Sequence, residues 1–164
     1  MDAQLPDDPS WVHGHAHDPN PAPPAPDPTF TLVLPDEEQI AVTLADLERY
    51  PLTSVAECYI VSTGHGVSGP FTFSGVRLFD LLQAHLGGER EWSHVDVISA
   101  DNFGTRIRAG ELIGAQTTRP IILGYLIDGA PLTREQGLVR LIVPSETDDA
   151  LRQVKWVARI EVHA

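Results

Sequence analysis

The stretch P-I-I-L-G-Y-L-I-D-G-A-P-L-T-R-E-Q-G-L-V-R-L-I-V-P, residues 120–144, decides how this chain folds. Residues 120–127 form an apolar, partly β-branched run of strand length. The dipeptide Asp128-Gly129 follows, which strongly favours a tight turn between antiparallel strands. A second apolar run, residues 138–144, ends at a proline. The stretch therefore predicts antiparallel β-structure rather than helix.

Further strand and helix patterns lie upstream and downstream of this stretch. Thr43 and Asp46 form a capping box ahead of the short helical pattern L-A-D-L-E-R-Y. Residues 75–86 space their apolar residues at three and four and then meet two glycines, which predicts an amphipathic helix. The remaining strand patterns are residues 30–34, 39–44, 55–62, 95–100 and 154–162. Because strands predominate, the sequence predicts an α+β fold with a mixed, mostly antiparallel sheet and short helices.

The first 28 residues differ in composition from the rest of the chain. They hold more than half of the 14 prolines, and this composition favours extended polyproline structure. We therefore expect a disordered Pro- and His-rich tail over residues 1–28 and one folded domain over residues 29–164. Within the tail His13, His15 and His17 alternate and could bind nickel, copper or zinc. A solvated tail with only adventitious metal affinity is the alternative.

Charge and hydropathy exclude several classes of function. The net charge of -12 argues against binding to nucleic acid or to an anionic membrane, because both need clustered cations. No apolar run approaches the ~20 residues that cross a bilayer. The first residues lack a basic and then apolar secretory pattern, so a cytoplasmic location is expected. Cys58 is the only cysteine, which excludes an internal disulfide and a zinc site built from several cysteines.

The most glycine-dense stretch is S-T-G-H-G-V-S-G-P-F-T-F-S-G, residues 62–75. Gly64, Gly66 and Gly69 have the G-x-G-x-x-G spacing of dinucleotide-binding loops. Such a loop needs a helix directly after it, whereas Pro70 and an extended segment follow here. The pattern of a P-loop is absent as well. The stretch is therefore not a nucleotide loop of either kind.

The same stretch still offers groups that could bind an anion. Ser62 and Thr63 supply hydroxyls, His65 supplies an imidazole, and Gly64 and Gly66 allow backbone amides to approach a ligand. A tight glycine turn that only links two strands is an equally good interpretation.

Several segments taken together resemble the molybdopterin-binding domain of the sulfite oxidase family. F-S-G-V-R-L-F-D-L-L (73–82) is similar to the family's entry into a helix, and V-I-S-A-D-N-F-G-T-R-I (97–107) to a strand that ends at an aspartate. The most specific part is D-G-x-P-L and G-x-V-R-x-x-V-P within residues 124–144, followed by V-K-W-x-x-R-I within residues 153–162. The resemblance covers about residues 30–164 and implies the family's α+β fold.

The resemblance also implies a cofactor, a molybdenum centre held by a pterin with a phosphate tail. By analogy Arg140 and Lys155 anchor the phosphate or the pterin, and Asp101 faces the pterin ring. The backbone that lines the pterin slot is that of Gln153, Val154, Lys155 and Trp156. A solvated surface charge is the alternative for each arginine.

The resemblance further implies a cysteine ligand to molybdenum, for which Cys58 is the candidate, with His65 beside the metal or pterin. A soft thiolate suits such a metal. By strand alternation Cys58 shares a face with Ala56 and Ile60, which equally suits a small buried core residue. Gln136 stands where the family often has a histidine, so cofactor contacts there are expected to differ.

Three functions remain open from the sequence. The resemblance favours a molybdopterin-dependent oxidoreductase that transfers an oxygen atom to or from a small-molecule substrate, with a possible redox partner protein. The second is a non-catalytic relative of the same fold that binds a small anion, a cofactor or a protein. The third is a metal carrier that uses the histidines of the tail.

Overall fold

The computed structural model describes residues 28–62, 66–86, 91–100, 103–115, 120–133, 136–143 and 154–164, without the side chains of residues 59–68 and 115. In chain order the elements are β1 (Phe30–Val33), β2 (Gln39–Val42), α1 (Leu44–Leu47), β3 (Thr53–Ser62), β4 (Gly66–Arg77), α2 (Leu78–Leu86), β5 (His94–Ser99), β6 (Gly104–Arg108), α3 (Ala109–Ala115), β7 (Ile122–Ile127), β8 (Ala130–Pro131), β9 (Arg140–Ile142) and β10 (Val157–His163). Strands thus predominate, and the predicted α+β class with short helices is confirmed.

The strands form two sheets. The first sheet has the order β2-β1-β10-β5-β6, in which β1 and β10 run parallel and all other neighbours antiparallel. The second sheet has the order β3-β4-β7-β8, and β9 also pairs with β7. All pairs of the second sheet are antiparallel. The mostly antiparallel arrangement was predicted, whereas the division into two sheets was not.

One large apolar core joins the two sheets and α2. Alternate residues of each strand face it, as the period of a strand requires. From the first sheet come Leu32, Val95, Val97, Ile160 and Val162, from the second Val76, Leu123 and Leu141, and from α2 Leu78, Leu81 and Leu82. We call this set, with the other residues packed among them, the main core. Burying each such leucine side chain contributes about 1.5–3 kcal/mol.

The helix predicted over residues 75–86 begins later, at Leu78. Gly75 and the two residues after it belong to β4 and pair with β7, where the register shifts beside Gly75. A Cβ atom at Gly75 would lie 1.9 Å from the carbonyl oxygen of Leu123, so only glycine fits this approach. The prediction was wrong here because the apolar spacing of three and four extends without a break from the strand into the helix.

Two local predictions are confirmed. The side chain of Thr43 accepts a hydrogen bond from the Asp46 amide, while the Asp46 side chain accepts one from the Thr43 amide. At the predicted turn, Asp128 and Gly129 have φ of 48° and 86°, as a tight hairpin turn requires. The amide of Thr72 donates to the Asp128 side chain and fixes this turn against β4.

No helix among the described parts of the chain is long and apolar enough to cross a membrane.

Candidate cofactor-binding face

The strand that carries Cys58 has a bulge at that position. Val55 pairs with Phe73 and Cys58 pairs with Phe71, so β3 contains one residue more than β4 between these two pairs. Glu57 takes up the extra length with φ of 56°. As a result Cys58 shares a buried face with Val55, while Ala56 is exposed. The predicted face shared with Ala56 is wrong, because a bulge resets the alternation of a strand.

Cys58 belongs to a second, smaller cluster of apolar side chains on the second sheet. Neighbouring residues of β7 and β9 divide between the two clusters: Ile122 and Ile142 belong to this one, while Leu123 and Leu141 belong to the main core. The smaller cluster therefore covers the opposite face of the sheet, and we call that face the outer face. Its buried members are Val55, Cys58, Phe73, Ile122, Ile127, Leu132 and Ile142.

The thiol of Cys58 is 4% exposed and donates to backbone carbonyl oxygens within its own strand. The Sγ atom lies 3.5 Å from the Val55 oxygen and 3.7 Å from the Ala56 oxygen. Burial among apolar residues fits the hypothesis of a core residue. Its role as a metal ligand stays a prediction.

Arg140 lies on the same outer face as Cys58. The two-residue period of β9 places it with Ile142, and its guanidinium carbon is 5.8 Å from the centre of the Phe73 ring. Its Nη1 donates to the carbonyl oxygen of Gln136 at 3.3 Å. Arg140 is only 4% exposed, so it is not the solvated surface charge that the sequence left open.

Burial shifts the pKa of the Arg140 guanidinium. It lowers the pKa of the guanidinium from 12.5 to about 10, because removal from water disfavours the charged form. At neutral pH the group is still a cation. A buried cation of this kind is stabilised by an anion that binds against it.

The segment that contains Lys155 lies directly against the segment that contains Arg140. The Trp156 amide donates to the Gly137 carbonyl oxygen at 2.9 Å, and the Leu141 amide donates to that of Val154 at 2.8 Å. Gly137 has φ of 112°, and a Cβ atom there would lie 2.9 Å from Cβ of Lys155. The structure therefore brings together two of the predicted cofactor-binding segments.

Both segments hold residues in the left-handed region of backbone conformation. Leu138 has φ of 59° and Trp156 has φ of 50°. For residues other than glycine each such conformation costs of order 1 kcal/mol, and these conformations concentrate at ligand-binding sites. The Glu57 conformation beside Cys58 is of the same kind. Left-handed residues thus accompany Cys58 as well as the Arg140 and Lys155 segments.

The Lys155 segment carries one cation. The side chains of Val154 and Trp156 are buried, while that of Lys155 is half-buried. The Lys155 ammonium lies 4.6 Å from the centre of the Trp156 ring, which restrains it in one position. The amides and carbonyl groups of Val154 and Trp156 are used in hydrogen bonds to Leu141, Gly137 and Ala100. The role of this segment as a pterin slot stays a prediction.

Two further predicted site residues lie outside the described residues. Asp101 and Gln153 are among the residues that the structure leaves undescribed. The residue before Asp101 is described: the amide of Ala100 donates to the Trp156 carbonyl oxygen at 2.9 Å. The chain that leads into Asp101 is therefore joined to the Lys155 segment.

The glycine loop connects two antiparallel strands. Ser62 at the end of β3 pairs with Gly66 at the start of β4. Thr63, Gly64 and His65 lie between them, outside the described residues. At about 3.3 Å per residue, Ser62 is ~13 Å along β3 from Cys58. Proximity in sequence therefore does not by itself bring the loop hydroxyls next to the thiol.

Comparison with known families gives a direct match. The profile of the family described as "Oxidoreductase molybdopterin binding domain" matches residues 19–164. The chain belongs to this family. The predicted resemblance is thereby confirmed, and with it the prediction of a molybdopterin-binding domain.

Similar proteins agree with this assignment. The chain is 33% identical over 127 residues to the mitochondrial sulfite oxidase of Drosophila melanogaster, a match that covers 74% of this chain and 22% of that protein. Its fold is similar to the crystal structure of the sulfane dehydrogenase SoxCD from Paracoccus pantotrophus, with a TM-score of 0.62 and 21% identity. That match covers 82% of this chain and 38% of the other. The chain therefore spans well under half the length of these proteins.

The described residues of this molybdopterin-binding domain fit an anionic cofactor. Arg140 supplies a buried cation whose desolvation an anion would relieve, and Lys155 supplies a second cation on the adjoining segment. Gly137 lets the two segments approach more closely than a residue with a side chain would allow. The site thus offers two cations on adjoining segments of the chain.

Sequence reasoning missed the aromatic residues of this domain that connect Cys58 with Arg140. Phe71 is the cross-strand partner of Cys58, and Phe73 lies beneath the Arg140 guanidinium. Their ring centres are 6.3 Å apart in an edge-to-face arrangement. The alternation F-T-F, which places both rings on one face of a strand, was the pattern that could have identified them.

Proposed function

We propose that this chain is a molybdenum-cofactor-dependent oxidoreductase of the sulfite oxidase type that transfers an oxygen atom to or from a small substrate. The observation that carries the proposal is the buried cation Arg140 on the same outer face as the only cysteine, in a domain of the molybdopterin-binding family. A buried arginine cation on this face is a suitable partner for an anionic ligand. We therefore assign the outer face of the second sheet to the cofactor.

The cofactor supplies a molybdenum centre that exchanges an oxygen atom and two electrons with a substrate. In the proposed arrangement the Arg140 guanidinium and the Lys155 ammonium bind the anionic part of the cofactor. Cys58 would hold the metal as a thiolate, for which its thiol would have to lose the proton that it donates to the Val55 and Ala56 carbonyl oxygens. The aromatic pair Phe71 and Phe73 holds Cys58 and Arg140 at fixed positions on the sheet.

A non-catalytic relative of the same fold is the second candidate. The 4% exposure of Cys58 favours it, because a metal ligand needs an open path to the metal. In this case the chain binds the cofactor, or a smaller anion, without turnover.

The two candidates separate in one experiment with the full chain purified from a host that produces molybdenum cofactor. Molybdenum and pterin are measured in the wild type, in Cys58→Ser and in the control variant Arg49→Met, whose side chain is 80% exposed. Turnover is then followed with sulfite as oxygen acceptor and dimethyl sulfoxide as oxygen donor, with ¹⁸O labelling to trace the transferred atom.

The proposed enzyme contains both molybdenum and pterin and transfers the label. Cys58→Ser loses activity and retains only part of its molybdenum, whereas Arg49→Met keeps both. A loaded wild type that transfers no label with either probe favours the non-catalytic relative. A wild type without molybdenum and pterin refutes the proposal.

A further inference from the structure

A group of polar side chains lies on the first sheet, away from the face assigned to the cofactor. His94 and Asp96 are two residues apart on β5, so both project from the same side of the sheet. His163 on β10 is the direct cross-strand partner of His94. One ring nitrogen of each histidine and one carboxylate oxygen of Asp96 lie within 4.8 Å of one another. Two imidazoles and a carboxylate thus converge from neighbouring strands.

The carboxylate of this group is fixed in place before any ligand binds. Asp96 is 4% exposed. Arg106 on β6 donates two hydrogen bonds to its carboxylate, from Nε to Oδ1 at 2.8 Å and from Nη2 to Oδ2 at 3.0 Å. Each carboxylate oxygen can accept more than one hydrogen bond or ligand. Arg106 therefore orients the carboxylate, and lone pairs of Oδ2 remain on the side of the histidines.

One histidine is oriented by a neighbouring hydroxyl. The Ser93 Oγ lies 2.8 Å from Nδ1 of His94 and 3.3 Å from the carbonyl oxygens of His163 and Ala164. When the hydroxyl proton points to a carbonyl, Oγ accepts a hydrogen bond from Nδ1–H. The His94 Nε2 then has a free lone pair. A histidine that binds a metal uses this same arrangement, in which one ring nitrogen donates and the other ligates.

The second histidine has a buried nitrogen directed at the carboxylate. His163 Nε2 lies 3.4 Å from Asp96 Oδ2 and 3.7 Å from Glu161 Oε1. Although this nitrogen is inaccessible to solvent, it makes no hydrogen bond with any described residue. Buried nitrogens that lack a hydrogen bond are uncommon, and a bound ion is one explanation for this one.

We propose that His94, Asp96 and His163 form a binding site for a divalent transition-metal cation of the zinc class. Neutral imidazole and carboxylate are ligands that zinc takes at about 2.0–2.2 Å. Tetrahedral ligand atoms at that distance are about 3.4 Å apart. The two imidazole rings stack with their centres 4.7 Å apart, so they must tilt and move inward when the ion binds. Three protein ligands leave a fourth position open to water or to the nearby Glu161 carboxylate.

The charges around the site affect how strongly it binds a divalent cation. Arg106, Arg108 and Arg159 lie on the neighbouring strands, and Arg159 is paired with Glu161. Burial, followed by Arg106, lowers the pKa of His94. The neighbouring arginines oppose the cation, so binding depends on direct ligation by the three side chains rather than on the surrounding field.

A groove of about 460 Å³ opens beside this site. It is lined by Glu161 and His163 of β10 together with residues of β1 and β2, and it reaches the last residue of the chain, Ala164. The groove brings solvent to the side chains of Glu161 and His163. The site is on the first sheet and the Cys58 and Arg140 face is on the second, so the metal proposal is independent of the proposed oxidoreductase.

The test must separate this site from the alternating histidines of the N-terminal segment. We would use the full chain with His13, His15 and His17 all replaced by alanine as the background. Zn²⁺ binding is measured by competition with a chromogenic chelator, and Co²⁺ is used as a spectroscopic probe because its absorption reports tetrahedral nitrogen and oxygen ligands. The background is compared with the added substitutions His94→Gln and His163→Gln, and with His85→Gln on α2 as the matched control.

The proposal predicts one equivalent of bound zinc in the background and in His85→Gln. It predicts an affinity weaker by more than about 100-fold in His94→Gln or His163→Gln, with loss of the Co²⁺ bands. Asp96 is left intact because its removal would leave the partly buried Arg106 without its carboxylate. Equal zinc affinity in the background and in the double variant His94→Gln/His163→Gln would overturn the proposal. The proposal would also be overturned if the background protein, in which His94 and His163 are intact, bound no zinc.

Discussion

Replacing Arg140 by methionine separates two effects of this arginine: its effect on the stability of the apoprotein and its effect on cofactor binding. Lowering the guanidinium pKa from 12.5 to about 10 corresponds to a penalty of about 3 kcal/mol for the charged form in the apoprotein. The contact with Phe73 stabilises the charged side chain by about 1 kcal/mol, and the hydrogen bond to Gln136 stabilises it by about 2 kcal/mol. These contacts, together with the further ones that Arg140 makes, offset the penalty. Methionine fills a similar volume without a charge, so we expect the unfolding free energy of the apoprotein to change by less than about 1 kcal/mol.

The bound state should respond very differently to the same substitution. If Arg140 binds the anionic part of the cofactor, Arg140→Met removes a charge-assisted contact and the purified protein loses most of its pterin and molybdenum. Urea denaturation of the apoprotein measures stability, and pterin fluorescence with elemental analysis measures retention. Arg49→Met should change neither quantity appreciably. The reasoning is refuted if Arg140→Met lowers apoprotein stability by more than about 3 kcal/mol and leaves cofactor content intact.

Three further substitutions test separate parts of the structure. Arg106→Met leaves the buried Asp96 carboxylate without its partner, so thermal and urea denaturation should show a loss of about 3–5 kcal/mol; an effect below 1 kcal/mol would contradict a buried pair. Gly137→Ala places a Cβ atom against the neighbouring segment at φ of 112°, so stability should fall by about 1–3 kcal/mol and pterin retention should fall with it; unchanged retention would separate this glycine from the site. Hydrogen bonds from Thr43 hold the pKa of Asp46 below 3.8, so its carboxylate stabilises the fold above that pH and ceases to do so as the pH falls. Asp46→Asn should therefore be less stable than the wild type at pH 7 and equal to it near pH 2; a difference that persists at low pH would contradict the capping role.

Local structure in this chain could be predicted from the sequence because a helix cap or a tight turn depends only on residues close together in the chain. The Thr43 capping box and the Asp128-Gly129 turn both involve groups within a few positions, and both form as predicted. The placement of Arg140 beside the Lys155 segment followed from the family resemblance rather than from any local pattern. Its physical basis became visible only in the hydrogen bonds that join the two segments.

Features that depend on contacts between distant strands could not be predicted. The bulge at Glu57 arises from the pairing of β3 with β4, and it changes which residues share a face with Cys58. The strand that continues through Gly75 depends on a carbonyl of β7, about 50 residues further along the chain. For the same reason His94 and His163 gave no sign of a common site, because only the pairing of β5 with β10 brings them together.

The most direct measurement is X-ray absorption at the molybdenum edge on the full chain, loaded with cofactor, for the wild type and Cys58→Ser. If the Cys58 thiolate binds the metal on the outer face of the second sheet, the variant has one sulfur neighbour fewer around molybdenum than the wild type. An equal sulfur count in two loaded proteins would show that Cys58 is a core residue and would contradict the proposed centre.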